Sequence, residues 1–145
     1  LNDFDNGLVI ADMAVNYFRK EGSPGNAGYF LSRKVGLLGQ RAALRSQDTL
    51  ARVDARKDAL DAVQCMYESL LIDSEDWQSE CQEVLERLQL LGRSLGITYR
   101  ELNFVDWNTR AGAIIARFFG KPKPGHSTQP SAKKGLIGRI FGRKK

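Results

Sequence analysis

Apolar positions recur at intervals of three and four along most of the chain, and no stretch alternates long enough to read as a strand. Residues 7–20 carry Leu8, Val9, Ile10, Met13, Val15, Tyr17 and Phe18 over most of the turn, with Asp12, Asn16 and Arg19 confined to one narrow stripe. A helix apolar around most of its circumference is expected at the centre of its bundle. Residues 20–28, with Pro24 and glycines at 22, 25 and 28, read as a flexible connection. A second helix is expected from about Tyr29 to Leu44, weakened by Gly36 and Gly39. Ser46-Gln47-Asp48 then offers a cap for a third helix reaching Ile72. Leu50, Val53, Leu60, Val63, Tyr67 and Leu70 form its inward stripe. Arg52, Asp54, Arg56, Lys57, Asp58 and Asp61 read as a solvated face with i,i+4 pairs such as Lys57 with Asp61.

Ser74, followed by Glu75 and Asp76, is the expected N-cap of a fourth helix, where acids suit the helix dipole. Trp77, Cys81, Val84 or Leu85, Leu88, Leu91 and Leu95 form one continuous stripe in it, and Gly96 ends it. A fifth helix is expected from Thr98, spaced as a capping box with Glu101, to Phe119. Its inward arc holds Leu102, Val105, Ala111, Ile114, Ile115, Phe118 and Phe119, and Gly120-Lys121-Pro122 stops it. Helices joined by short turns predict an all-α antiparallel bundle of about five helices over residues 1–120. Residues 121–132, rich in Pro, Gly and Ser, read as a flexible linker, and 133–145 as a disordered basic tail.

Charge changes this picture. The 145 residues carry a formal net charge of +5, from 22 bases and 17 acids. Eight of those bases and none of the acids fall in 121–145, which leaves fourteen bases against seventeen acids in residues 1–120. The basicity therefore belongs to the C-terminal segment, and a mildly acidic body is poorly suited to wrapping DNA over a large surface.

The residues for common catalytic chemistry are sparse. The single histidine, His126, lies in the Pro/Gly/Ser stretch, so a conventional Ser-His-Asp triad has no scaffold. One histidine and two cysteines fall short of most zinc ligand sets. Cys65 and Cys81 form no C-x-x-C, and read as reduced thiols of a cytosolic protein. The glycines at 22, 25 and 28 lack the Lys-Ser or Lys-Thr of a P-loop. Acid pairs such as Asp3 with Asp5, Asp58 with Asp61, and Glu80 with Glu83 and Glu86 lie on expected outward faces. The expectation is a non-enzymatic protein with no cofactor and no metal. The acidic start, Leu1-Asn2-Asp3-Phe4-Asp5, does not read as a secretory signal, and apolar runs fall short of the roughly 20 residues that cross a bilayer. The chain is expected in the cytoplasm, at most peripheral at the inner face of the membrane.

Two segments carry binding expectations. Drawn as a helix, residues 133–145 gather Leu136, Ile137, Ile140 and Phe141 on one face. Lys133, Lys134, Arg139, Arg143, Lys144 and Lys145 surround that face. Gly135, Gly138 and Gly142 each cost such a helix about 1 kcal/mol, so it should form only on binding. An anionic membrane surface or a partner protein's groove suits both the bases and the apolar quartet, whereas nucleic acid would use the bases alone. The body is expected to bind a protein partner or itself.

Residues 88–105 resemble a helix-turn-helix through Leu88, Leu91, Gly92, Leu95, Gly96, Ile97, Leu102 and Val105. That resemblance implies an alternative, a DNA-binding regulator in which Thr98, Tyr99, Arg100 and Asn103 face the groove, Arg100 and Asn103 being types that read guanine and adenine edges. In build, being short, helical and basic at one end, the chain resembles accessory proteins of small colicin-type plasmids, their mobilisation and exclusion proteins. That likeness implies a part in plasmid transfer, either assisting DNA processing or blocking uptake at the inner membrane.

Overall fold

The computed structural model describes residues 3–72 and 78–120, and every regular element among them is helical. The bundle consists of α1 (Asp3–Lys20), α2 (Pro24–Arg45), α3 (Arg52–Ile72), α4 (Gln78–Ser94) and α5 (Arg110–Phe119). Neighbours from α1 to α4 run antiparallel, as short connections require. The expected linker 121–132 and tail 133–145 lie outside the described residues, as do Ser74 and Trp77.

Helix α2 starts five residues before the expected Tyr29. Ser23 stands at its N-cap and Pro24 at its first position, where a missing N–H and a preset φ suit the helix. The loop between α1 and α2 is therefore only Glu21–Ser23, turning at Gly22 with φ +69°. Gly25 and Gly28 belong to α2, and Gly28 is buried near Ile72. Asp48 caps the next element as expected, its carboxylate accepting from the Leu50 N–H at 3.0 Å, and a 3₁₀ turn at Thr49–Ala51 leads directly into α3.

Helix α3, rather than α1, is the central element. It buries Ala55, Ala59, Ala62, Val63, Met66, Tyr67 and Leu70, and packs against α2, α4 and α5. Small residues at 55, 59 and 62 let α2 come close. Leu50 and Val53, expected inside, are exposed, since the chain enters α3 beyond the edge of the core. The expected solvated face is also interrupted: Asp58 is buried among α2 side chains. Lys57 and Asp61 do pair at 3.0 Å.

The fourth helix follows its stripe, burying Leu85, Leu88 and Leu95, and ends at Gly96 with φ +73°. The fifth does not begin at Thr98. Glu101 Oε1 accepts from the Thr98 N–H at 3.1 Å, but this opens only a 3₁₀ turn, Tyr99–Glu101. The chain then runs irregularly while Leu102 and Val105 enter the core. Asp106 holds it there: its N–H donates to the Tyr67 hydroxyl at 3.0 Å, and its carboxylate accepts from the Asn108 N–H at 3.0 Å. Side-chain hydrogen bonding of this kind competes with helix. Helix α5 starts only at Arg110, where the Thr109 hydroxyl accepts from the Gly112 N–H at 2.9 Å.

Candidate interaction surface

Helix α1 packs on α2 in the reverse sense to that expected from its composition. Leu8, Ala11 and Val15 are its buried residues, while Val9, Ile10, Met13 and Tyr17 are 54–67% exposed. Asp5, Asp12 and Arg19 reach toward the bundle instead. Asp5 accepts from Arg41 of α2 at 2.7 Å, Asp12 pairs with Lys34 of α2, and Arg19 donates to Glu68 of α3 at 2.9 Å. Residues 5, 12 and 19 are spaced by seven, and so are Lys34 and Arg41 on the facing antiparallel helix. Two turns of one helix therefore match two turns of the other. The outward stripe of Ile10, Met13 and Tyr17 follows the three-and-four spacing of a helix–helix seam.

The ion pairs border a groove of about 540 Å³ that α1 and α3 form above α2. Its acids are Asp5, Asp12, Asp61 and Glu68, and Lys34 and Arg41 rise from its floor. Each acid has a basic partner, because Asp61 takes Lys57 and Glu68 takes Arg19. Burial pulls the Lys34 ammonium down, yet its hydrogen bond to Asp12 and the nearby carboxylates of Asp12 and Glu68 hold it above its ordinary value. The Arg41 guanidinium is held still more firmly charged by its hydrogen bonds to Asp58. Cys65 borders the same groove and is buried, with its thiol pushed up to about 11 by desolvation against the opposing pull of Lys34. A thiol in that state is protonated at neutral pH and inert as a nucleophile or ligand. The groove is thus a seam of mutually satisfied charges, and chemistry that needs an unpaired base finds none offered by these pairs. Among the described residues, no group of three or more His, Cys, Asp or Glu is placed to hold a metal ion.

The helix-turn-helix expectation meets a different geometry. Thr98 caps the 3₁₀ turn, Tyr99 and Arg100 lie on it and Asn103 follows in the irregular segment, so no second helix follows Gly96 at the position that motif requires. Thr98, Arg100 and Asn103 are exposed, and the Arg100 guanidinium stands 5.9 Å from the Tyr99 ring centre. Arg56 of α3 clamps this turn by donating to the Leu95 carbonyl and the Glu101 carboxylate. Glu101 is thereby a structural partner within the fold.

The ten residues expected to bind a polyanion, Lys133, Lys134, Leu136, Ile137, Arg139, Ile140, Phe141, Arg143, Lys144 and Lys145, lie outside the described residues. No helix among the described residues is long and apolar enough to cross a membrane. Sequence patterning took the outward face of α1 for core, because apolar content does not tell which side of a helix its neighbours occupy. The signal that could have found it is the shared spacing of seven between Asp5 and Asp12 and between Lys34 and Arg41. No protein-family model, curated protein or solved structure matches this chain.

Proposed function

We propose that the chain is a non-enzymatic helical accessory protein. Its body engages a protein through α1, and its basic segment 133–145 docks on an anionic membrane face. The observation that carries the first half is the exposed apolar stripe of Val9, Ile10, Met13 and Tyr17 on a helix whose Asp5, Asp12 and Arg19 pair with α2 and α3. Contiguous exposed apolar surface of this kind marks an interaction site more often than scattered single residues do. The charge division supports the second half, since each base near an acidic leaflet contributes about 1 kcal/mol and the apolar quartet adds its burial. The likeness in build to plasmid accessory proteins suggests the inner face of a bacterial membrane as the setting.

Co-sedimentation with vesicles tests the docking. The full chain should pellet with anionic vesicles and not with neutral ones. Loss of binding is expected when Ile137, Ile140 and Phe141 are replaced by serine in the full chain, and also when the chain ends at Gly120. Equal binding by all three, or binding by none, overturns the docking role. Retention of the full chain on DNA but not on anionic lipid would favour nucleic acid instead, with an affinity falling steeply as salt rises.

A further inference from the structure

We propose that α1 is a hinged strap, which opens from α2 as one unit about Ser23 while α2 to α5 stay folded. The backbone hydrogen bonds place the hinge. Gly22, at φ +69°, closes α1: its N–H donates to the Arg19 carbonyl at 3.2 Å, and the Ser23 N–H donates to the Phe18 carbonyl at 2.9 Å. That pattern satisfies carbonyls at the end of α1 from its own next residues. The Ser23 carbonyl instead accepts from the Ala27 N–H of α2 at 3.1 Å, and Pro24 has no N–H to bind backward. The N–H of Ser23 therefore belongs to α1 and its carbonyl to α2. Rotation about the two dihedrals of this residue swings α1 outward and breaks neither helix end.

Little holds the strap closed. Among the described residues of α1, Leu8, Ala11 and Val15 are buried, whereas α3 buries ten of its 21. Phe18 adds a stacked contact with Phe30 of α2, ring centres 5.8 Å apart. The three ion pairs are each partly exposed, and pairs of that kind contribute little. On the α3 side, the Arg19–Glu68 pair stands between two openings. One is the groove of about 540 Å³, and the other holds about 380 Å³ beside Ser23, Ala27, Leu71 and Ile72. Helix α3 keeps its packing on α2, α4 and α5 when α1 leaves. Elements with few buried apolar contacts open at lower free energy than the core, so α1 is the first to go. Its departure uncovers Phe30 and Leu37, the α2 side chains that lie against Phe18 and Gly7. The protein thus has a second form that presents apolar α2 surface hidden in the closed one.

Native-state hydrogen exchange of the full chain, read amide by amide by NMR in zero to sub-denaturing urea, tests this. A detached helix of 18 residues is marginally stable in water, so the α1 amides exchange whenever the strap opens. Residues 8–20 should share one opening equilibrium, about tenfold or more larger than that of residues 59–67 in α3. It should depend only weakly on urea, because opening exposes little surface. Leu8→Ala should raise it by about tenfold or more across the whole of 8–20, and Leu8→Val supplies the same readout if the alanine variant does not fold. Three results overturn the proposal: equal protection of α1 and α3, a urea dependence as steep for α1 as for α3, or an effect of Leu8→Ala confined to the first turns, as fraying produces. These readouts need neither a partner nor a lipid, so they leave the proposed docking and protein-binding roles to their own tests.

Discussion

Arg41 holds Asp58 through two parallel hydrogen bonds, Nε to Oδ2 and Nη2 to Oδ1, both at 2.9 Å, across the α2–α3 interface. Arg45 adds a third contact to Oδ2 at 2.8 Å, and Arg41 reaches back to Asp5 of α1 at 2.7 Å. One carboxylate with 3% of its side chain exposed thus organises charges from two helices, and its arginine ties in a third. Bidentate geometry of this kind is both strong and directional.

Removing the charge from that centre should therefore be costly. Asp58→Asn leaves Arg41 and Arg45 facing a neutral group in a mostly dry interface, and is expected to lower unfolding stability by about 3 kcal/mol. Urea denaturation followed by circular dichroism checks this. The paired variant Arg41→Met/Asp58→Leu should recover much of the loss, because a buried ion pair stabilises little relative to well-packed apolar side chains.

The exposed pair Arg19–Glu68 offers a contrast. With half of the Arg19 side chain in solvent, Arg19→Ala should change stability by less than about 1 kcal/mol in the same assay. A large loss there would mean that α1 depends on its ion pairs more than on Leu8, Ala11 and Val15.

Gly112 sits where α5 begins under the preceding segment. A Cβ at that position would fall 2.0 Å from the Asp106 carbonyl oxygen and 2.9 Å from the Trp107 Cα, both backbone atoms. Gly112→Ala must displace the chain that carries Val105 into the core, and is expected to destabilise by 2 kcal/mol or more, on the order of a severe packing defect. Thermal denaturation checks it, with Ala113→Gly as a control for helix propensity alone. Tyr67→Phe, which removes only the hydroxyl that accepts from the Asp106 N–H, should cost about 1 kcal/mol.

Cys65 makes stability depend on alkaline pH. Its thiol is raised from 9.0 to about 11 by burial, so the unfolded chain releases this proton first. The stabilisation is complete below about pH 9 and is lost as pH rises toward about 11. Its size is on the order of 2 kcal/mol. Equilibrium unfolding across that range should show a slope that Cys65→Ala reduces. At neutral pH the buried thiol should react with thiol reagents only through opening of the structure.

Much of the fold was legible in the chain. The period of three and four marked the five helices, the Ser46-Gln47-Asp48 segment holds a cap at Asp48, and the stripe through Leu85, Leu88 and Leu95 with Gly96 marked both the inner face and the end of α4. These are local properties: a helix satisfies its own backbone, and capping residues act within one turn. The start of α2 was misjudged: the glycines at 22, 25 and 28 read as a flexible connection up to Tyr29, whereas Ser23-Pro24 opens the helix.

What the chain could not decide alone was which surface each helix turns to which neighbour. The apolar coat of α1 suggested a central helix, and the mixed charge of α3 suggested a solvated face that would include Asp58. Their places are exchanged because Asp5, Asp12 and Arg19 find complements on α2 and α3, while Asp58 finds two arginines on α2. Likewise Thr98 and Glu101 make their local contact, yet a helix does not follow, since Leu102 and Val105 gain burial and Asp106 gains Tyr67 only if the chain leaves helical geometry. Helical period is set by backbone geometry and is written residue by residue. Burial and charge pairing are shared between distant segments, and their outcome exists only once those segments meet.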